Sequence, residues 1–170
     1  MARQILYMGG FDSSGVCHTI CCEWIRQSRD LGNVTRVREL ESPLTCRADW
    51  DPATGWRAIN ETYNLPVDHV VWRARFDSDW LADHCARIHG YALIVLWNGG
   101  IYPPNRTHGL EGHTVALRKQ PGRIQYFDPN LGTLEIDNAQ ELGCWLRNSL
   151  NAPGGRYPGL RGRRCELVLV

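Results

Sequence analysis

The twenty-one residues from Gly112 to Gly132, GHTVALRKQPGRIQYFDPNLG, decide how this chain is read. Two strand-like runs, His113–Lys119 and Arg123–Asp128, flank Gln120-Pro121-Gly122, and that layout predicts a β-hairpin. A two-residue turn centred on Pro121 and Gly122 sets His113 opposite Asn130 and Asp128 opposite Val115. His113 and Asp128 then share a face as diagonal neighbours, close enough for an imidazole and a carboxylate to meet. A three-residue turn would slip the register and send the two side chains to opposite faces.

Working outward, Tyr91–Trp97 (YALIVLW) reads as a buried strand, and Asn98–Gly112 as a loop of a length that is often functional. Beyond the hairpin come a short strand near Thr133–Ile136 and a helix over Asp137–Leu150 carrying Leu142 and Trp145. A Gly/Pro/Arg-rich loop (Asn151–Arg164) then leads to a closing strand, Cys165–Val170. Nearer the start, Gln4–Met8 is extended, and a helix runs from residue 15 to about 29. Val16, Ile20 and Trp24 recur in it at fourfold spacing, with Cys17, Cys21 and Ile25 alongside, and Gly32 ends it. Residues 33–50 are polar and give no assignment. Ala53–Tyr63 is predicted helical, with Asp51 as cap and Pro52 at the first position, and Ser78–Ile88 is another helix closed by His89-Gly90. Helices first and an antiparallel sheet after define an α+β fold, expected as a single domain over residues 1–170.

Composition removes several function classes. A net charge of +1 gives no general attraction to nucleic acid or anionic membrane, so neither is an expected partner. No apolar run approaches the roughly 18 residues of a membrane span. Met1–Met8 has no long apolar core of a secretory signal, so export would be signal-independent. Seven cysteines, an odd number without a C-x-x-C pair, suit a reducing environment better than a disulfide framework.

Three of those cysteines lie in the helix that follows Ser13-Ser14. With either serine as N-cap, Cys17 falls in the first turn or so, where unpaired N–H groups and the helix dipole favour a thiolate. Gly15 allows close backbone approach. Cys21 and Cys22 sit a turn deeper, and buried free cysteine as plain core packing remains the alternative for all three. A metal set of Cys17, His18, Cys21 and Cys22 is poorly shaped, because vicinal helical side chains diverge by about 100°. A nucleophile needs a base and the base an orienter, roles that Cys17, His113 and Asp128 could fill; His108 is a second candidate base, on a less rigid loop.

At G15-V-C-H-T-I-C-C-E-W24, G112-H-T-V-A-L117 and Y126-F-D-P-N-L-G132 the sequence resembles the YopT/AvrPphB-type papain-like cysteine proteases, a family of bacterial effectors, and Trp145 fits that family's helix tryptophan. The resemblance implies a papain-like fold, with the N-terminal catalytic helix packed on an antiparallel sheet. It implies Cys17 as nucleophile, His113 as general base and acid, and Asp128 as the carboxylate that holds the imidazole, with no metal or cofactor. Papain-like enzymes usually carry an Asn or Gln shortly before the nucleophile as an oxyanion donor. This chain has none between Gln4 and Gln27, and Asp12 or Ser13 occupies that place. An ionised Asp12 would repel the oxyanion, whereas the Ser13 hydroxyl or the Cys17 backbone N–H would partly substitute; loss of one donor costs on the order of 100-fold.

The family further implies a protein substrate in a target cell, delivery to its cytosol by a signal-independent bacterial system, and a secretion chaperone or an immunity or regulatory protein as partner. Some relatives carry a segment ahead of the core; the sixteen residues before Cys17 read as a minimal catalytic domain or one whose upstream part was removed. The same triad would serve a deamidase, transglutaminase or acyltransferase, and a catalytically weak binding module of the same fold is a third reading. Tyr102-Pro-Pro-Asn could cover a cleft or be a plain surface loop, and Arg156, Arg161, Arg163 and Arg164 could meet an acidic partner, though a solvated loop is the readier explanation of the arginines.

Overall fold

A computed structural model describes residues 3–7, 17–32, 60–97, 112–151 and 164–170. Its centre is an antiparallel sheet of seven strands among those residues, built around the hairpin. The strands are β1 (Arg3–Tyr7), β2 (His69–Arg73), β3 (Gly90–Trp97), β4 (Gly112–Gln120), β5 (Arg123–Asp128), β6 (Gly132–Ile136) and β7 (Arg164–Leu169), in the spatial order β1-β6-β5-β4-β3-β7-β2. The helices are α1 (Cys17–Leu31), α2 (Ser78–Arg87) and α3 (Ala139–Leu146), the last running into a π-helical turn, Arg147–Asn151. No helix among the described residues is long and apolar enough to cross a membrane.

The predicted register is the observed one. Gln120 pairs with Arg123, Leu117 with Tyr126 and Ala116 with Phe127, and the turn lies at Pro121-Gly122, with Gly122 at φ +71°. Only glycine enters that left-handed region readily, so the turn residue and the register belong together.

Alternation along the strands divides the core in two. Leu93, Val95, Ala116, Phe127 and Val168 face α1, whose Ile20, Cys21, Cys22, Trp24 and Ile25 cover them. Ala92, Ile94, Leu96, Val115, Leu117 and Tyr126 point the other way, onto Leu81 and Cys85 of α2 and Leu142 and Leu146 of α3. Trp24 anchors the first layer: it is fully buried, stacks on Phe127 at 5.2 Å with rings nearly parallel, and donates Nε1–H to Thr133 Oγ1 at 3.1 Å. Just past the far end of α1, Arg118 from β4 donates to the Gly32 carbonyl at 2.5 Å. Lys119 does the same for the Ala86 carbonyl near the end of α2.

Three elements depart from expectation. Strand β2, in a stretch that gave no strand signal, is short and mostly exposed, with Val70 and Val71 only half-buried, so its sequence carries little alternation. Helix α3 begins at Ala139 rather than Asp137, because Asn138 takes the cap position and its Oδ1 accepts from Glu141 N at 2.9 Å. From Arg147 the chain continues as a π turn rather than an α-helix. The predicted helix over Ala53–Tyr63 lies largely outside the described residues; its end, 60–62, is helical and closes at Asn64 with φ +53°.

Candidate active site

The site forms where α1 begins and the β4–β5 hairpin ends. Cys17 opens the described part of α1, His113 follows the first residue of β4, and Asp128 closes β5. All three side chains are buried. His113 Nε2 lies 3.2 Å from Asp128 Oδ1, the diagonal contact that the register allows. The carboxylate is itself held: the same oxygen accepts from Asn130 N at 2.9 Å, and the Asp128 carbonyl accepts from Leu131 N at 2.9 Å. Asp128-Pro129-Asn130 is thus an Asx-type turn that fixes the acid while reversing the chain into β6.

With Nε2 occupied by Asp128, Nδ1 is the ring nitrogen left to act on Cys17, and the influence of each group on the other shows in their pKa values. The backbone amides of Thr114 and His18 also favour a charged sulfur. Burial by itself would push the Cys17 thiol up; the hydrogen bond and charge of His113, joined by those two amides, outweigh it, and the pKa is lowered. For His113 burial works toward the neutral ring, but the bond to Asp128 and then the bond and charge of Cys17 prevail and raise it to about 9. Both shifts run toward a thiolate–imidazolium pair.

The neighbouring cysteines behave otherwise. Burial, with the charges of Cys17, Cys22 and Asp128, pushes Cys21 well up, and burial beside Glu23 does the same to Cys22. Cys21 Sγ donates to the Thr114 carbonyl at 3.3 Å and Cys22 Sγ to Asn60 Oδ1 at 3.3 Å. His18 is taken on both nitrogens, by Thr114 Oγ1 at 3.1 Å and Asn60 Oδ1 at 2.7 Å. Cys21, Cys22 and His18 are therefore packing and docking groups, and no cluster suited to a metal ion occurs among the described residues.

Of the residues singled out in the sequence, Cys17, His113 and Asp128 come together. Asp12, Ser13, His108, the Tyr102 loop, Arg156, Arg161 and Arg163 lie outside the described residues, while Arg164 begins β7. Trp145 lies half-buried on α3, edge-on to Tyr126 at 6.2 Å. Thr114 and Asn60 were not anticipated. A threonine in a strand and an asparagine near the end of a predicted helix carry no sequence mark of the histidine they bind.

A helix that opens on a buried thiol, set against an antiparallel hairpin bearing a histidine and its carboxylate, is the architecture of the papain-like cysteine protease fold. Comparison with known proteins agrees. The Peptidase_C58 family, described as Yersinia/Haemophilus virulence surface antigen, matches residues 105–169, a span that contains His113 and Asp128 but not Cys17. Among solved structures, the Pseudomonas avirulence protein AvrPphB is similar, with a TM-score of 0.55 at 14% identity over 92% of this chain and 93% of that one. No curated protein sequence matches. The resemblance to the YopT/AvrPphB-type family is thus supported by a family profile and by fold.

Proposed function

We propose that this protein is a cysteine peptidase of the YopT/AvrPphB type that cuts a protein inside a target cell, using Cys17 as nucleophile, His113 as acid and base, and Asp128 as its orienting carboxylate. One observation carries the reading. Cys17 stands at the described start of α1, and His113, which acts on it, has its Nε2 3.2 Å from Asp128 Oδ1; that influence lowers the pKa of Cys17 whereas burial raises those of the other buried cysteines described. The thiolate attacks a peptide carbonyl, and the carbonyl electrons move onto oxygen. As the tetrahedral adduct collapses, the C–N bond breaks and the His113 imidazolium protonates the departing amine. The neutral ring then takes a proton from water, which attacks the thioester and releases the acid and the Cys17 thiolate. Asp128 holds the ring through Nε2 so that Nδ1 stays on the sulfur. For the oxyanion, the Ser13 hydroxyl and the Cys17 backbone N–H are the proposed donors, with Asp12 the other candidate by its place in the sequence. The virulence and avirulence descriptions of the similar proteins support delivery by a bacterium into a target cell; a signal-independent route, and a secretion chaperone or an immunity or regulatory protein as partner, are proposed with it.

The test is incubation with a proteome-derived peptide library, read by mass spectrometry. Cleaved peptides from the wild type, absent with Cys17→Ala and His113→Ala, are expected. Uncut peptides gaining about one dalton per amide would make it a deamidase, and no change at all would favour a binding module.

A further inference from the structure

Thr114 is held by α1 at two points. Its hydroxyl meets His18 Nδ1 at 3.1 Å and its carbonyl accepts from Cys21 Sγ at 3.3 Å, while its amide favours a charged Cys17 sulfur. Cys17, His18 and Cys21 lie within the first turn and a half of α1, whereas Thr114 directly follows His113 on β4. Every peptide atom of Thr114 that moves therefore moves His113 with it.

His18 is pinned from behind. Its Nε2 lies 2.7 Å from Asn60 Oδ1, an oxygen that also accepts from Cys22 Sγ at 3.3 Å. An amide oxygen can only accept, so His18 Nε2 carries the proton. In the neutral ring Nδ1 is then an acceptor, and the Thr114 hydroxyl donates into it. His18 and Thr114 are both buried, so neither bond exchanges freely with water.

We infer that His18 and Thr114 are positioning residues, a bolt between α1 and β4 that holds the Cys17 sulfur against the His113 ring. The inference rests on Cys17 being the nucleophile. Neither residue touches the reacting atoms through its side chain; both act through the Thr114 amide and the backbone on either side of it. A valine at 114 keeps the shape of threonine and removes the hydroxyl, while a serine keeps the hydroxyl.

The experiment is alkylation of Cys17 by iodoacetamide in the whole chain, followed site by site by mass spectrometry from pH 4 to 10, with thermal unfolding measured in parallel. It requires no substrate. His113, Asp128 and Cys21, the titratable groups around the sulfur, stay unchanged in every variant. Thr114→Val is expected to move the alkylation midpoint upward and to slow labelling at neutral pH about fivefold to tenfold, the scale of one buried hydrogen bond. Thr114→Ser is expected to restore the wild-type profile. A Thr114→Val profile identical to wild type, with only a lower unfolding temperature, overturns the positioning role while leaving Cys17 as nucleophile. A wild type in which Cys17 titrates as an ordinary thiol overturns both.

Discussion

Cys17, Cys21, Cys22, Cys85 and Cys165 are all buried, yet burial does not treat them alike. It pushes Cys85 up to about 12 and raises Cys21, Cys22 and Cys165 as well, whereas Cys17 alone among them has a charged imidazole to offset it. The consequence for rate follows from the signs. Departure of the amine needs the protonated ring, so on the proposed mechanism kcat/KM falls as pH rises through about 9, the raised value of His113. The acid limb lies below the ordinary thiol range, because the pKa of Cys17 is lowered. Peptidase assays across pH check both limbs, and Asp128→Ala should lower the whole profile by on the order of 100-fold. At this scale much was legible: Cys17, His113 and Asp128 stand in short motifs whose residue types suit their chemistry. Thr114 and Asn60 were not, since a partner 96 positions from His18, or 42, leaves no local trace.

Helix α1 is fixed at both ends and in the middle. Its first turn is tied to Thr114, the Gly32 carbonyl just past its end to Arg118, and its centre to the sheet by Trp24 stacked on Phe127 and bonded to Thr133. Removing the indole opens a cavity and strands the Thr133 hydroxyl, so Trp24→Ala is expected to destabilise the protein by about 3–5 kcal/mol, measured by urea denaturation. Trp24→Phe keeps the stack and should cost less. Elements with a strong period were readable from sequence: α1, α2, β3 and the β4–β5 hairpin fall within a residue or two of expectation. Strand β2 was not, because an edge strand with half-exposed Val70 and Val71 has neither alternation nor a continuous apolar run. The later start of α3 reflects a choice between Asp137 and Asn138 as cap that composition leaves open.

The sheet order β1-β6-β5-β4-β3-β7-β2 joins the first strand to the sixth and the last to the second and third. Those pairings are long-range, and no local pattern announces them; the helix-then-sheet layout told the fold class, and the resemblance told the architecture. What the order accomplishes is to place β4 and β5 near the middle of the sheet, where neighbours on both sides hold the hairpin while α1 lies across one face. The molecule thereby joins a thiol, an imidazole and a carboxylate drawn from opposite halves of the chain. That convergence is measured most directly by titrating the His113 ring by nuclear magnetic resonance in the wild type and in Cys17→Ala. The account predicts that His113 titrates near 9 in the wild type and at a lower pH once the sulfur is gone, because the bond and charge of Cys17 help to raise it. A His113 that titrates at the ordinary imidazole value, or that is indifferent to loss of Cys17, would contradict it.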